Sequence, residues 1–165
     1  MADETNTAAP NGEDTAPQIG MIAQYVKDLS FENPNAPGIY QQQVQPQIDV
    51  QFHISVNQVA DDVHEVAMKI EVRAQGDSGS TIFAVELVYA GLFGARNIAP
   101  DALSPFLYAE APRLLFPFAR RIVADVTRDG NFMPLLLDPI DFGAMYMQQA
   151  QQAAQLAENE PAGQA

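Results

Sequence analysis

Hydrophobic and polar residues alternate with a period of two along four segments in the first half of the chain: 18–32, 47–56, 63–73 and 81–93. The second segment alternates without a break, and one of its faces carries only apolar residues, Ile48, Val50, Phe52, Ile54 and Val56. In the first segment, Ile22 and Lys27 interrupt the pattern. This periodicity predicts β-strands, and the polar alternate positions indicate an antiparallel sheet that is covered on one face.

The links between these segments differ in length. Residues 57–62 and 75–80 are of hairpin length and rich in turn-forming residues. The link at 33–43 contains Pro34, Pro37 and Gly38 and is too long for a tight hairpin. We expect this link to carry the second strand across an edge of the sheet or past another strand.

The hydrophobic period changes after residue 93, and a helix is predicted there. Apolar residues recur at i, i+3 and i+4 spacing between Leu115 and Val126. We expect Pro112 or Pro117 in the first turn, where a missing N–H costs little. Gly130 follows at a position typical of a helix C-terminus.

A second helix is predicted after Asp141, whose side chain can cap it, and it continues through residues 142–159. Its first two turns are apolar, whereas the later turns consist largely of Ala and Gln, which have little to bury. Strands followed by helices indicate an α+β fold. The predicted architecture is a four-stranded antiparallel sheet with one face covered by C-terminal helices.

The two ends of the chain differ from this region in composition. Residues 1–17 contain acids but no basic residue and no Val, Ile, Leu or Phe, and residues 158–165 are similarly polar. Such segments bury too little apolar surface to offset the entropy of ordering. We therefore predict a disordered acidic tail at 1–17, a single domain at 18–157 and a disordered tail at 158–165.

The charge balance excludes several classes of partner. The chain has 165 residues, with 21 acids against 8 Lys and Arg, for a formal net charge of −13 at pH 7. No nucleic-acid partner is expected, because phosphate binding requires the opposite sign. Anionic membranes would repel the chain, and no apolar run approaches the ~20 residues of a membrane span, so no direct membrane insertion is expected. The N-terminus does not read as a signal peptide, and a cytoplasmic protein is expected.

Residues with catalytic or metal-binding potential are few. The sequence has no cysteine, and neither His53 nor His64 has partners at metal-ligand spacing. Two adjacent aspartates at 61–62 fall in a predicted turn, where capping and solvation are their ordinary roles. We expect no enzyme activity, no metal and no cofactor. The remaining candidate is an apolar groove with Ile39, Tyr40 and the apolar start of the last helix.

Five segments carry a resemblance to a known family: YVKDLSFENPNAP at 25–37, QVADD at 58–62, AGLF at 90–93, LFPFAR at 115–120 and RDGNFMPLLLDPIDFGAMYMQQ at 128–149. In this order they resemble the SecB family of bacterial protein-export chaperones. The resemblance implies a SecB-like fold and a homotetramer built as a dimer of dimers. It also implies an ATP-independent holdase that keeps preproteins unfolded and delivers them to the SecA ATPase, without a cofactor.

The resemblance further implies three functional surfaces. SecA would dock on an acidic surface of the sheet, away from the helices, at Asp28, Glu32, Ala84 and Glu86. A client groove between the crossover link, the second strand and the last helix would be lined by Tyr40, Ile48, Val50, Phe52, Phe142, Met145 and Tyr146. The subunit interface would include the inward side of the fourth strand at Val85, Leu87 and Tyr89.

Two other functions are consistent with parts of this pattern. A SecB-like chaperone of a toxin–antitoxin system would share the fold and the groove but need not serve SecA. The acids at Asp28, Glu32 and Glu86 argue against that alternative. A small-ligand binding protein or an enzyme is a distant third, because the sequence contains no motif for either.

Overall fold

The computed structural model describes residues 15–159. Most of the predicted N-terminal tail and residues 160–165 lie outside this range. Four strands come first, β1 (Gln18–Glu32), β2 (Gln47–Ala60), β3 (Val63–Gln75) and β4 (Thr81–Arg96). Three helices follow, α1 (Pro100–Pro105), α2 (Ala111–Asp129) and α3 (Phe142–Asn159). The predicted α+β order of strands and then helices is confirmed.

All four strands belong to one antiparallel sheet with the order β1-β4-β3-β2. The connection after β1 therefore crosses from one edge of the sheet to the other, as its length suggested. We call residues 33–46 the crossover loop; it contains a short 3₁₀ turn at Gly38–Gln41. The Asn35 side chain donates a 2.8 Å hydrogen bond to the carbonyl of Thr81, which fixes the loop beside the start of β4.

Two register shifts interrupt the pairing of β1 with β4, between Met21 and Ala23 and between Val26 and Asp28. The residues inside these shifts, Ile22 and Lys27, are those that break the alternation in the sequence. A bulge of this kind adds one unpaired residue and restores the alternation beyond it. The sequence irregularities therefore mark the bulges of an otherwise regular strand.

The strands are longer than the alternation alone suggested. The β2–β3 pairing continues through Gln58 and His64 to Ala60 and Val63, so most of the predicted turn at 57–62 is strand. The reversal itself is made by residues 61–62, with Asp62 at a φ of 58°. Aspartate tolerates this left-handed conformation better than most residues do. Cross-strand pairing thus extends into polar positions that read as loop in the sequence.

The first helical region begins earlier than predicted, at Pro100, and contains a π-helical segment, Phe106–Glu110. In that segment the N–H of Ala111 bonds the carbonyl of Phe106, five residues back. Pro112 lies in the first turn of α2, but Pro117 lies inside the helix. An internal proline costs about 3 kcal/mol. The buried face of α2 offsets this cost, because it packs on the sheet.

Gly130 terminates α2 as predicted, but for a different reason. Its φ is −76°, and the left-handed residue is the next one, Asn131, with a φ of 64°. A Cβ at position 130 would lie 2.3 Å from Cζ of Phe31. Glycine is therefore required by the close approach of β1, and not by backbone conformation.

The start of α3 confirms the predicted cap, because the N–H of Ala144 donates a 2.9 Å hydrogen bond to Oδ1 of Asp141. The helix includes Glu158 and Asn159, two residues assigned to the C-terminal tail from composition. Its later turns are exposed. Alanine and glutamine thus extend the helix without adding to the core.

The core lies between the sheet and α2, whose buried residues include a series spaced by one turn: Ala111, Leu115, Ala119, Val123 and Thr127. Close packing requires Gly91 on β4, because a Cβ there would lie 2.9 Å from a methyl carbon of Leu115. The buried hydroxyl of Thr127 donates to the carbonyl of Val123 and accepts from the N–H of Leu135. The opposite face of the sheet carries no helix in the part of the chain that the structure describes.

Candidate functional site

The three acids of the predicted docking surface lie together on the open face of the sheet. The β1–β4 register places Ser30 opposite Glu86, and Glu32 opposite Ala84. Asp28 pairs with Val88, two positions along the same face of β4. All three acidic side chains are exposed, and Ala84 is half-buried beside Glu32 and Glu86. The sheet therefore presents a carboxylate cluster on the side away from α2, with Glu86 in its middle row and Ala84 at the end beside Glu32.

A second set of charges lies on the same face and is paired within the chain. Lys27 on β1 reaches over β4 to β3, where its ammonium lies 2.6 Å from Oε1 of Glu65. The hydroxyl of Tyr25 donates a short hydrogen bond to the other oxygen of the same carboxylate. Lys69 on β3 lies 3.2 Å from Oε1 of Glu71. Two lysines of the open face are thus neutralised by acids other than the predicted docking residues.

The pKa values around Glu65 reflect these bonds. The hydrogen bond to Glu65, followed by burial, raises the pKa of Tyr25 to about 12. The Lys27 hydrogen bond, followed by that of Tyr25, lowers the pKa of the Glu65 carboxyl. Both shifts favour an ionised Glu65 between an ammonium and a neutral phenol.

The predicted client-groove residues are distributed over two cavities. We call the larger one, about 430 Å³, the loop cavity; it is lined by the crossover loop, β4 and the segment after α2, with Tyr40 and Ile48 on its wall. The smaller, about 110 Å³, is the helix cavity, and Phe52, Phe142, Met145 and Tyr146 line it. Ile48, Val50 and Phe52 follow one another on the same face of β2. At the rise of a strand, Ile48 and Phe52 lie ~13 Å apart. The row therefore runs from the wall of the loop cavity to the wall of the helix cavity.

Two of the predicted groove residues contribute to packing more than to an open surface. Phe142 is 3% exposed, and its ring meets that of Phe116 edge-on at 5.8 Å. Val50 is half-buried and packs against the core. The start of α3 turns the Phe142 side chain into the core, and a contribution of its ring to client binding stays a prediction. Tyr146 remains half-exposed and stacks on Tyr108 with ring centres 6.1 Å apart.

The sequence analysis missed the segment between α2 and α3 as part of the loop cavity. Phe132, Met133, Pro134 and Leu135 line it, and Met133 is 87% exposed. The signal was present as an uninterrupted apolar run at 132–137 outside any helical pattern. Pro134 inside this run and Pro139 after it disfavour a helix, and the segment leaves Met133 and Leu136 exposed while Leu137 is buried.

Tyr40 connects the two sides of the loop cavity. Its hydroxyl accepts a 2.7 Å hydrogen bond from the side chain of Asn33 and donates a 2.9 Å bond to the carbonyl of Gly130. Its ring lies 5.9 Å from that of Phe132. Oδ1 of Asn33 is buried beside this link without a hydrogen-bond partner in the described residues. The crossover loop is therefore fastened to the end of α2 by one side chain.

The predicted interface residues of β4 are covered within the subunit. Val85 and Leu87 are buried, as is Tyr89, whose hydroxyl donates to the side chain of Gln24. These side chains are buried in this subunit's own core, and their part in a subunit interface stays a prediction. Exposed apolar residues lie instead on the edge strand β1 and on the outer side of α2: Ile19, Met21, Ile22, Val26, Leu29, Leu114 and Phe118.

Within residues 15–159, no cluster of three or more His, Asp or Glu side chains could hold a metal ion. No helix in the described part of the chain has the length and apolarity needed to cross a bilayer.

Comparison with known proteins agrees with this architecture. The family model described as preprotein translocase subunit SecB matches residues 12–153. The protein-export protein SecB of Rhizorhabdus wittichii is 65% identical over the full length of both chains. The corresponding protein of Sphingopyxis alaskensis is 57% identical, also over the full length of both. That of Zymomonas mobilis is 58% identical over 97% of this chain and 98% of the relative.

A solved structure has the same fold at much lower identity. The SecB-like chaperone of Mycobacterium tuberculosis, solved in complex with an antitoxin peptide, aligns with a TM-score of 0.62. The alignment covers 74% of this chain and 90% of that chain, at 17% identity. It supports the fold, and the full-length sequence matches decide the family. The chain belongs to the SecB family of protein-export chaperones.

Proposed function

We propose that this chaperone holds preproteins in an unfolded state without ATP, in the cytoplasm, and delivers them to the SecA ATPase. The observation that supports holding is the loop cavity of about 430 Å³, joined by the β2 row to the helix cavity. Ile48, Tyr40 and Met133 are exposed in or beside it. An unfolded chain offers the apolar side chains that such a surface can bury, whereas a folded protein hides them.

The chemistry of the cavity favours binding with little sequence preference. Burial of apolar surface contributes about 25 cal/mol per Å² and has no directional requirement. The thioether of Met133 and the rings of Tyr40 and Phe132 adapt to side chains of different shape. This lining contains no group poised for bond making, so we propose binding and release, with no enzymatic step.

Delivery would use the acids Asp28, Glu32 and Glu86 on the open face, with Ala84 leaving room beside Glu32. A carboxylate cluster on a chain of net charge −13 attracts a basic partner and speeds its encounter. The C-terminal segment of SecA, which is basic and carries zinc, has the complementary chemistry. The face is separated from both cavities by the thickness of the sheet, so client and SecA could be bound together.

We propose a homotetramer assembled as a dimer of dimers, through β1 and the outer side of α2. Five apolar side chains of β1 are exposed along a sheet edge, and an edge of this kind invites pairing with another chain. Leu114 and Phe118 extend the apolar surface onto α2. We propose these exposed residues as the direct contacts. Val85, Leu87 and Tyr89 of β4 are buried in the core.

The test is whether the purified protein delays refolding of a slow-folding preprotein in the absence of nucleotide. Delay at a stoichiometric ratio is expected, together with binding of SecA that weakens as salt is added. Refolding at the rate of the preprotein alone would contradict the holding function. No observation favours a toxin–antitoxin role, since the relatives of 57–65% identity are protein-export proteins.

A further inference from the structure

Glu65 is the one acidic side chain described in the structure that is buried, with 11% of its side chain exposed. It lies on the open face of the sheet, where β3 would ordinarily place an exposed residue. Its two carboxylate oxygens are bound separately, one by the Lys27 ammonium at 2.6 Å and the other by the Tyr25 hydroxyl. Both partners come from β1, which is not the neighbour of β3 in the sheet.

Small side chains allow this bridge over the intervening strand. In the row next to Glu65, Ala67 of β3 lies opposite Ala90 of β4, and Ala90 lies opposite Tyr25 of β1. Two alanines leave open space above the sheet through which the longer side chains meet. The bulge at Lys27 adds the residue that makes the contact, immediately before Asp28.

The bridge determines which charges remain available next to it. The side chain of Lys27 is half-exposed, at 51%, and Lys27 is adjacent to Asp28 in the chain. Without Glu65 it would be free to neutralise Asp28. The other lysine of this region, Lys69, is in the same row as Asp28 and is held by Glu71 at 3.2 Å. The third cation, Arg73, lies in the row of Ala84 and Glu32, farther from Asp28.

We propose that Glu65 is a positioning residue of the docking surface: by holding Lys27 over β4, it keeps Asp28 free to receive a basic segment of the partner. The inference rests on the proposed docking of SecA on Asp28, Glu32 and Glu86. It adds a residue outside that set, acting through the position of a lysine and not through contact with the partner.

The experiment measures the affinity of purified SecA for the full chain in three variants, Glu65→Gln, Lys27→Met and the double variant. Glu65→Gln keeps the shape but releases the lysine, and it should weaken binding about two- to five-fold, the range of an exposed ion pair. Lys27→Met should bind at least as tightly as the parent. The double variant should recover the parent affinity, because no free ammonium is left.

A double variant as weak as Glu65→Gln alone would overturn the proposal, since a purely structural role of Glu65 is not rescued by removing Lys27. Asp61→Asn in the β2–β3 turn is the matched control for the loss of one negative charge and should leave affinity unchanged. Glu86→Lys distinguishes a failure of the positioning role of Glu65 from a failure of the docking surface. If Glu86→Lys weakens binding and Glu65→Gln does not, only the positioning role fails; if neither does, the docking surface itself is wrong.

Discussion

The hydroxyl of Tyr40 donates a 2.9 Å hydrogen bond to the backbone carbonyl of Gly130, ninety residues later in the chain. This bond joins the crossover loop to the end of α2, where the chain leaves the helix to form the far wall of the loop cavity. The cavity therefore has one wall from residues before β2 and one from residues after α2. Its width depends on a contact that neither segment makes alone.

Replacing Tyr40 with Phe tests this fastening. The variant keeps the ring on Phe132 but loses the hydroxyl bonds to Asn33 and Gly130, each worth about 0.5–1.5 kcal/mol net. Amide hydrogen exchange of the crossover loop should accelerate, while exchange in β3 stays unchanged. Tyr108→Phe, which keeps the stack on Tyr146, is the matched control and should not change loop exchange. Unaltered loop exchange in Tyr40→Phe would show that packing alone holds the loop.

Met133 should contribute to client holding without contributing to the fold. It is 87% exposed on the wall of the loop cavity, so Met133→Gln leaves the unfolding free energy nearly unchanged. Binding of an unfolded preprotein should weaken by roughly ten- to hundred-fold, because burying a methionine contributes about 1.5–3 kcal/mol. The comparison is Met147→Gln on α3, which is exposed but lines neither cavity. Equal effects of the two variants on client affinity would count against the loop cavity as the binding site.

Phe142 should behave in the opposite way. Its ring is buried against Phe116, so Phe142→Ala is expected to lower the unfolding free energy by about 3–5 kcal/mol. Denaturant unfolding followed by circular dichroism measures the change. Tyr146→Ala removes a half-exposed ring and should cost clearly less. A stable Phe142→Ala variant with reduced client binding would restore Phe142 to the client surface.

Glu86→Lys should weaken SecA binding while leaving client holding and oligomeric mass intact. The substitution reverses a charge at the centre of the open-face cluster, where the side chain is exposed and little stability is at stake. Titration calorimetry at two salt concentrations should show that the parent loses affinity with salt and the variant loses less. Glu158→Lys makes the same charge change on α3 and serves as the control. Identical affinities for both variants and the parent would leave the acids as solubilising residues only.

Substitutions of two leucines on neighbouring strands distinguish the proposed assembly surface from the core. Leu29 of β1 lies opposite Leu87 of β4, but the first is exposed and the second is buried. Leu29→Glu should reduce the mass measured by light scattering while the subunit stays folded. Leu87→Glu should unfold the subunit, because it buries an unpaired charge. Val59→Glu, at the other edge of the sheet, is the control and should leave the parent mass.

Local patterns in the sequence predicted much of the fold. The unbroken alternation of β2 and the cap at Asp141 are local signals, and the structure has both. The two irregularities at Ile22 and Lys27 were also visible and proved to be bulges. Strand ends were less accurate, since β2 extends to Ala60 through pairing with β3. Pairing depends on a partner strand, which local patterns do not describe.

For the candidate surfaces, the sequence likewise predicts the face on which a strand residue lies but not what covers that face. Alternation alone separates Glu86 from Leu87, because successive side chains of a strand point to opposite faces. It does not say whether the apolar face is covered by a helix of the same subunit or by another copy. Val85 and Leu87 read as an interface for this reason, and only the position of α2 showed that they are core.

The sequence by itself determined the class of the protein, the strand faces and the carboxylates of the open side, because these depend on local periodicity and on motifs in order along the chain. Tertiary structure decided which contacts the chain makes at long range: Tyr40 on Gly130, Lys27 on Glu65, and Met133 on the wall of the loop cavity. The physical reason is separation along the chain. Tyr40 and Met133 meet at the loop cavity only when the crossover loop packs against the end of α2, and Lys27 reaches Glu65 only when β4 pairs between β1 and β3.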